Sequence, residues 1–125
     1  MAQETVAVKS TSPVTVKMAF KGVARYSAGL YRDKGGGSFS QVQALAHDGS
    51  SADARPDEFS FSCPEKGKYL FLFQANITAM TVPGEVEAKA TVVQGGKSLK
   101  TVTEGGKIDA QYKVVVVRII LEVAQ

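Results

Sequence analysis

Along most of the chain, apolar and polar residues alternate one for one, in runs bounded by Gly, Pro, Ser and Asp. A strand turns successive side chains to opposite faces, so a period of two predicts half-buried β-strands. In residues 14–20, Val14, Val16, Met18 and Phe20 fall on one side. The same pattern predicts strands over 6–8, 23–31, 39–45, 58–63, 69–78, 85–93, 99–103 and 114–123. No stretch of twelve residues carries a helical stripe with caps. The expectation is one all-β domain over 1–125, with eight or nine strands in a sandwich or barrel.

The connections are rich in glycine. Gln94-Gly95-Gly96-Lys97 joins two apolar runs and predicts a tight hairpin, because glycine reaches positive φ without steric cost. Glu104-Gly105-Gly106-Lys107 repeats that turn signal ten residues later. Lys34-Gly35-Gly36-Gly37-Ser38 predicts a looser turn, and residues 47–57 a longer polar loop.

Two runs break the inside–outside rule. In residues 69–73, Tyr69, Phe71 and Phe73 share one face while Leu70 and Leu72 share the other. In the last strand Val115, Val117, Ile119, Leu121 and Val123 form one apolar face, and Val114, Val116 and Ile120 occupy its reverse. A two-layer sandwich hides one face of each strand. The aromatic set is assigned to the core, because it continues into Ala75 and Ile77. Leu70, Leu72, Val114, Val116 and Ile120 are then expected to meet a second copy of the chain, since large exposed apolar patches mark interaction sites. A loop folded over that face is the alternative.

Composition narrows the partners. There are 15 basic and 12 acidic residues, a net charge of +3, with Lys9, Lys17, Lys21, Arg25, Lys89, Lys100, Lys113 and Arg118 falling singly. This is solvated-strand patterning and implies no nucleic-acid partner. The longest apolar run, 114–117, ends at Arg118, so no membrane insertion is expected. The N-terminal Met-Ala-Gln-Glu-Thr lacks a basic stretch followed by an apolar one, so no signal peptide is expected. The one cysteine, Cys63, cannot form an internal disulfide.

Candidate chemistry is sparse. His47 is the only histidine, which rules out a multi-histidine metal site, and it is expected as an exposed loop residue beside Asp48. A Cys63–His47 nucleophile pair would need an activated thiol; beside Pro64 in an alternating strand, Cys63 is expected instead as a small buried hydrophobe. Asp48, Asp53, Asp57 and Glu58 offer oxygen ligands for calcium, in a spacing that matches no EF-hand loop. Gly35 to Gly37 lack the Lys-Ser/Thr and helix of a phosphate cradle. No catalytic residue, resident metal or cofactor is expected, and hence no enzyme.

Residues 61–73, Phe-Ser-Cys-Pro-Glu-Lys-Gly-Lys-Tyr-Leu-Phe-Leu-Phe, resemble the central signature of the complement component 1q globular head and its tumour-necrosis-factor-like relatives. That signature is Phe, five residues, then Gly-x-Tyr-x-Phe-x-aromatic. Residues 86–93 with Gly95-Gly96 are similar to the family's next hairpin. The likeness covers about a third of the chain, and the family's later strand-Gly-Asp segment has no counterpart. What it implies is a ten-stranded jelly roll, an antiparallel two-sheet β-sandwich that assembles as a homotrimer and works by binding or scaffolding. Without a signal peptide, that implies a virion component, such as capsid decoration or fibre, or a cell-surface module partnered by a capsid or surface protein. A chain of neither kind would be cytoplasmic. The alternative is a monomeric immunoglobulin-like or lectin-like sandwich that takes calcium or a carbohydrate through the 47–58 loop.

Overall fold

The alternating runs become nine strands in a computed structural model that describes residues 3–35, 38–51 and 57–124. They are β1 (Gln3–Val8), β2 (Val14–Lys21), β3 (Val23–Gly35), β4 (Ser38–Ser50), β5 (Glu58–Phe61), β6 (Gly67–Thr78), β7 (Gly84–Gln94), β8 (Lys97–Ile108) and β9 (Tyr112–Val123). One sheet has five strands in the order β1-β9-β6-β3-β4, the other four in the order β5-β2-β7-β8. Every pairing is antiparallel except β1 with β9. The pairs β1·β9, β2·β7 and β3·β6 nest inside one another and alternate between the sheets of this β-sandwich, while β3·β4 and β7·β8 are simple hairpins. Nine strands rather than ten stand among the described residues.

The two sheets meet across the faces that the period of two assigned inward. Tyr69, Phe71, Phe73, Ala75 and Ile77 of β6 are buried, as are Val115, Val117, Ile119, Leu121 and Val123 of β9. They face Val14, Val16 and Met18 of β2, Phe59 and Phe61 of β5, and Val86, Ala88, Ala90 and Val92 of β7 in one contiguous core. Five of the six phenylalanines interlock there with Tyr26. Phe20 of β2 stacks on Tyr26 of β3 and on Phe73, each at 5.8 Å between centroids. Phe59 of β5 lies 6.0 Å from Phe71, and Phe61 stacks on Phe71 at 6.1 Å. Such pairs add about 0.5–1.5 kcal/mol each beyond their area burial.

One buried polar side chain secures the passage between the sheets. The Gln94 amide accepts a hydrogen bond from the Lys9 N–H at 2.8 Å and donates to the carbonyls of Lys9 and Ser12 at 2.7 and 2.8 Å. The β1–β2 connection, which must cross from one sheet to the other, is held to the end of β7 with its polar groups satisfied. The Lys100–Glu4 ion pair, 2.9 Å, joins β8 to β1 along the same side.

Two turn expectations are corrected. Gly95 and Gly96 do form the β7–β8 hairpin, both at positive φ (62° and 75°) as a tight primed turn requires. Gly105 and Gly106, however, lie within β8, paired with Glu87 and Val86, at φ 128° and 150°. A Cβ on Gly105 would overlap the Val86 carbonyl, so Gly105 admits a close backbone approach and not a reversal. The chain turns instead at 109–111. The polar loop begins later than expected as well. β4 continues through Ser50, so His47 is an exposed strand residue.

The face assignment on β6 sets a test. Phe71 is fully buried among rings, so Phe71→Asp is expected to abolish folding, since even Phe→Ala in a core costs about 3–5 kcal/mol. Leu72 faces outward opposite Arg118, so Leu72→Asp places a carboxylate beside a guanidinium and is expected to fold. Circular dichroism on the two variants decides; a folded Phe71→Asp chain would overturn the assignment.

Candidate functional site

The outer faces of the two sheets differ in chemistry. On the four-stranded sheet, Thr15, Lys17, Ala19 and Lys21 of β2 stand opposite Val93, Thr91, Lys89 and Glu87 of β7, a face on which Val93, half-buried, is the one large apolar side chain of these eight. Lys21 pairs with Glu85 at 3.0 Å, and the Thr91 and Thr101 hydroxyls lie 3.5 Å apart. That face is dressed for water.

The five-stranded sheet presents a mixed face. Its rows run across β3, β6 and β9: Val23, Thr78 and Tyr112; Arg25, Asn76 and Val114; Ser27, Gln74 and Val116; Gly29, Leu72 and Arg118; Tyr31, Leu70 and Ile120. All five residues expected at an interface therefore share one surface: Leu70 lies directly opposite Ile120, and Val114 and Val116 continue up β9. Their exposure is uneven. Val114 is 61% exposed, Leu70, Leu72 and Val116 are half-buried, and Ile120 keeps only 6%.

The exposed apolar weight sits towards one end of the sandwich, which the periodicity alone did not single out. Tyr112 at the start of β9 is 56% exposed, and Met80 and Val82 of the β6–β7 connection are 77% and 50% exposed. Register places Val23, also exposed, in the same row as Tyr112, and the Ala79 N–H donates to the Gln111 carbonyl at 2.8 Å. The signal was present in the sequence, as apolar residues inside turn segments, where polar ones are usual.

The acidic loop does not assemble into a calcium site among the described residues. Asp57 accepts a hydrogen bond from the Tyr26 hydroxyl at 2.5 Å, and its carbonyl accepts the Met18 N–H at 2.7 Å. Glu58 projects from β5 on the other sheet. Asp53 and the side chain of Asp48 lie outside the described residues. Among the described residues no three His, Cys, Asp or Glu side chains are grouped as a metal site, and no helix is long and apolar enough to cross a membrane.

Cys63 is fully buried, as expected of a small hydrophobe, just beyond the end of β5. Burial pushes its thiol up from 9.0 to about 11, with the nearby Arg32 charge pulling weakly the other way. Arg32 itself lies over the Tyr69 ring, 4.8 Å from its centroid, and donates to the Lys66 carbonyl at 2.7 Å, pinning the β5–β6 turn. A thiol held protonated is a poor nucleophile.

Compared with known proteins, the chain matches no family model, no curated protein and no solved structure.

The buried thiol predicts a pH dependence. Its folded value lies above its unfolded one, so the stability it contributes is complete below pH 9 and is lost between pH 9 and 11, where the unfolded chain sheds the proton first. Denaturant unfolding of wild type and Cys63→Ala is expected to give curves that converge over that interval by about 2 kcal/mol. Parallel curves would contradict the burial account.

Proposed function

We propose that this protein is a non-enzymatic, self-assembling structural or binding module whose copies associate through the outer face of the five-stranded sheet. The observation that carries the reading is the asymmetry of the two outer faces. Both belong to the same sandwich, and both could be polar. Only one carries Val114, Val116, Leu70, Leu72 and Tyr112 in register, continuous with Val23 at the exposed end. An apolar column kept on one face and absent from the other fits a surface that is covered in the working assembly. Covering a side chain such as Val114 adds roughly 1 kcal/mol, and symmetry repeats the gain in each subunit.

The resemblance of residues 61–73 to the complement component 1q and tumour-necrosis-factor-like signature favours a trimer over other closed assemblies. A homotrimeric sandwich that binds or scaffolds suits capsid decoration, a fibre, or a cell-surface module.

Size-exclusion chromatography with light scattering tests this. The wild-type chain is expected to run as an oligomer, and Val114→Asp combined with Val116→Asp as a monomer with an unchanged circular dichroism spectrum. A monomeric wild type at micromolar concentration would overturn the reading.

A further inference from the structure

Gly29 lies in the interior of β3, on the outer face, paired with Leu72 of β6 on one side and Ala44 of β4 on the other. A glycine inside a strand weakens it, because its backbone loses more freedom on folding and it brings no side chain to pack. The reason for keeping one here is the close approach of a side chain, the Tyr31 ring. Its backbone is not in the left-handed region, and no main chain crowds it. A Cβ at Gly29 would meet only side-chain ends: Tyr31 Cε1 at 3.1 Å, Gln41 Nε2 at 3.4 Å and Tyr31 Oη at 3.5 Å. The Tyr31 ring lies over Gly29, and the two are among the residues that line a hollow of about 240 Å³ on this face.

The neighbouring strand is shaped around this hollow. Between Gln41 and Gly49 the β4 register slips three times against β3: Gln41 and Gln43 face adjacent residues Tyr31 and Leu30, Ala44 and Ala46 face Gly29 and Ala28, and a further residue is inserted before Gly49. Each slip is a bulge on β4. Bulges bend a strand and re-aim its side chains, and they concentrate beside binding sites. Here they accompany Gln41 and His47 at the rim, while Gln74 enters from β6.

The lining decides the chemistry. Leu72 and the Tyr31 ring supply apolar contact; the Gln41 and Gln74 amides, the Tyr31 hydroxyl and the His47 imidazole supply hydrogen-bond donors and acceptors. Among the described residues no carboxylate, ammonium or guanidinium lines the hollow, which favours a neutral ligand. The volume lies below the roughly 300–1,000 Å³ that drug-sized ligands fill. A neutral ligand with one CH face and a ring of hydroxyls satisfies all three constraints.

We propose that the hollow over Gly29 binds a single neutral pyranose ring of a carbohydrate. Leu72 and Tyr31 take the CH face, and Gln41, Gln74 and His47 hydrogen-bond to the hydroxyls. The hollow shares Leu72 with the face assigned to self-association, whose most exposed members, Val114 and Tyr112, lie on β9 outside the hollow, so variants at the two places tell the proposals apart.

The test is a ¹H–¹⁵N NMR titration of the full chain with glucose, galactose, mannose and N-acetylglucosamine, and with glucuronate as a charged control. At least one neutral sugar is expected to shift the Gly29 amide and the Gln41 and Gln74 side-chain amides saturably, with glucuronate weaker. Gly29→Val displaces the Tyr31 ring that lines the hollow and is expected to weaken binding at least about tenfold, or 1.4 kcal/mol. Gln74→Leu, at an exposed position, is expected to do the same with the fold untouched, so the proposal stays testable if Gly29→Val misfolds. Gly29→Ala is expected to melt no lower than wild type, because Tyr31 and Gln41 can give way. Both binding variants should retain the oligomeric state of the wild type, and Val114→Asp should retain sugar binding. The proposal is overturned if no neutral sugar gives saturable shifts, if the shifts lie elsewhere, or if both Gly29→Val and Gln74→Leu bind as wild type does.

Discussion

The two sheets are held to each other by an interlock of aromatic rings, and much of the architecture follows from accommodating it. Tyr26, Phe71 and Phe73 project from the five-stranded sheet; Phe20, Phe59 and Phe61 answer from the other. β5 has four residues and pairs only with β2, too little ladder to persist alone. Two of its four side chains are rings in this cluster, so its place is fixed by packing more than by hydrogen bonds. Tyr26 carries a second duty, since its hydroxyl donates to Asp57 and so draws the start of β5 to the inner face of β3. Gly49 of β4 pairs with Tyr26, and a Cβ there would overlap the ring. A core built from large rings thus dictates a small residue on the neighbouring strand.

That core also explains why the sandwich can afford an uneven exterior. With the inner faces of β6 and β9 filled by aromatic and branched residues, their outer faces are free to vary without loss of the fold. The four-stranded sheet uses this freedom for lysine, glutamate and threonine. The five-stranded sheet uses it for valine, leucine and tyrosine, and for the glycine under the Tyr31 ring. The edges are guarded in different ways. β8 carries Lys97, Lys100 and Lys107 and β5 is very short, both common defences against pairing with other chains. β4 is long and carries no charged residue from Ser38 to His47, and Val42 on it is 52% exposed. Its bulges interrupt the ladder that another strand would need, so the feature that shapes the hollow also keeps this edge from continuing the sheet.

The sequence by itself determined the strands and their inward faces, because period-two alternation is a local property and burial of one face is its direct consequence. Val14, Val16, Met18, Phe71, Phe73, Val117 and Ile119 could be assigned to the core from spacing alone, and Gly95-Gly96 could be read as a hairpin because its turn chemistry is contained in four residues. The same local logic put Leu70, Leu72, Val114, Val116 and Ile120 on an outer face. It could not say that Leu70 would lie opposite Ile120, or that Ile120 would be nearly covered and Val114 left open, because cross-strand register joins residues some fifty positions apart. Tertiary structure also decided what the glycines and acids are for. Gly105 reads locally as a turn, but the Val86 carbonyl makes it a close-approach site in a strand. Asp57 reads as a free loop carboxylate until Tyr26 is folded against it, and Gly29 is unremarked until β4 bulges beside it and Leu72 is aligned next to it. Each depends on a neighbour distant in sequence, and no local pattern encodes such a neighbour.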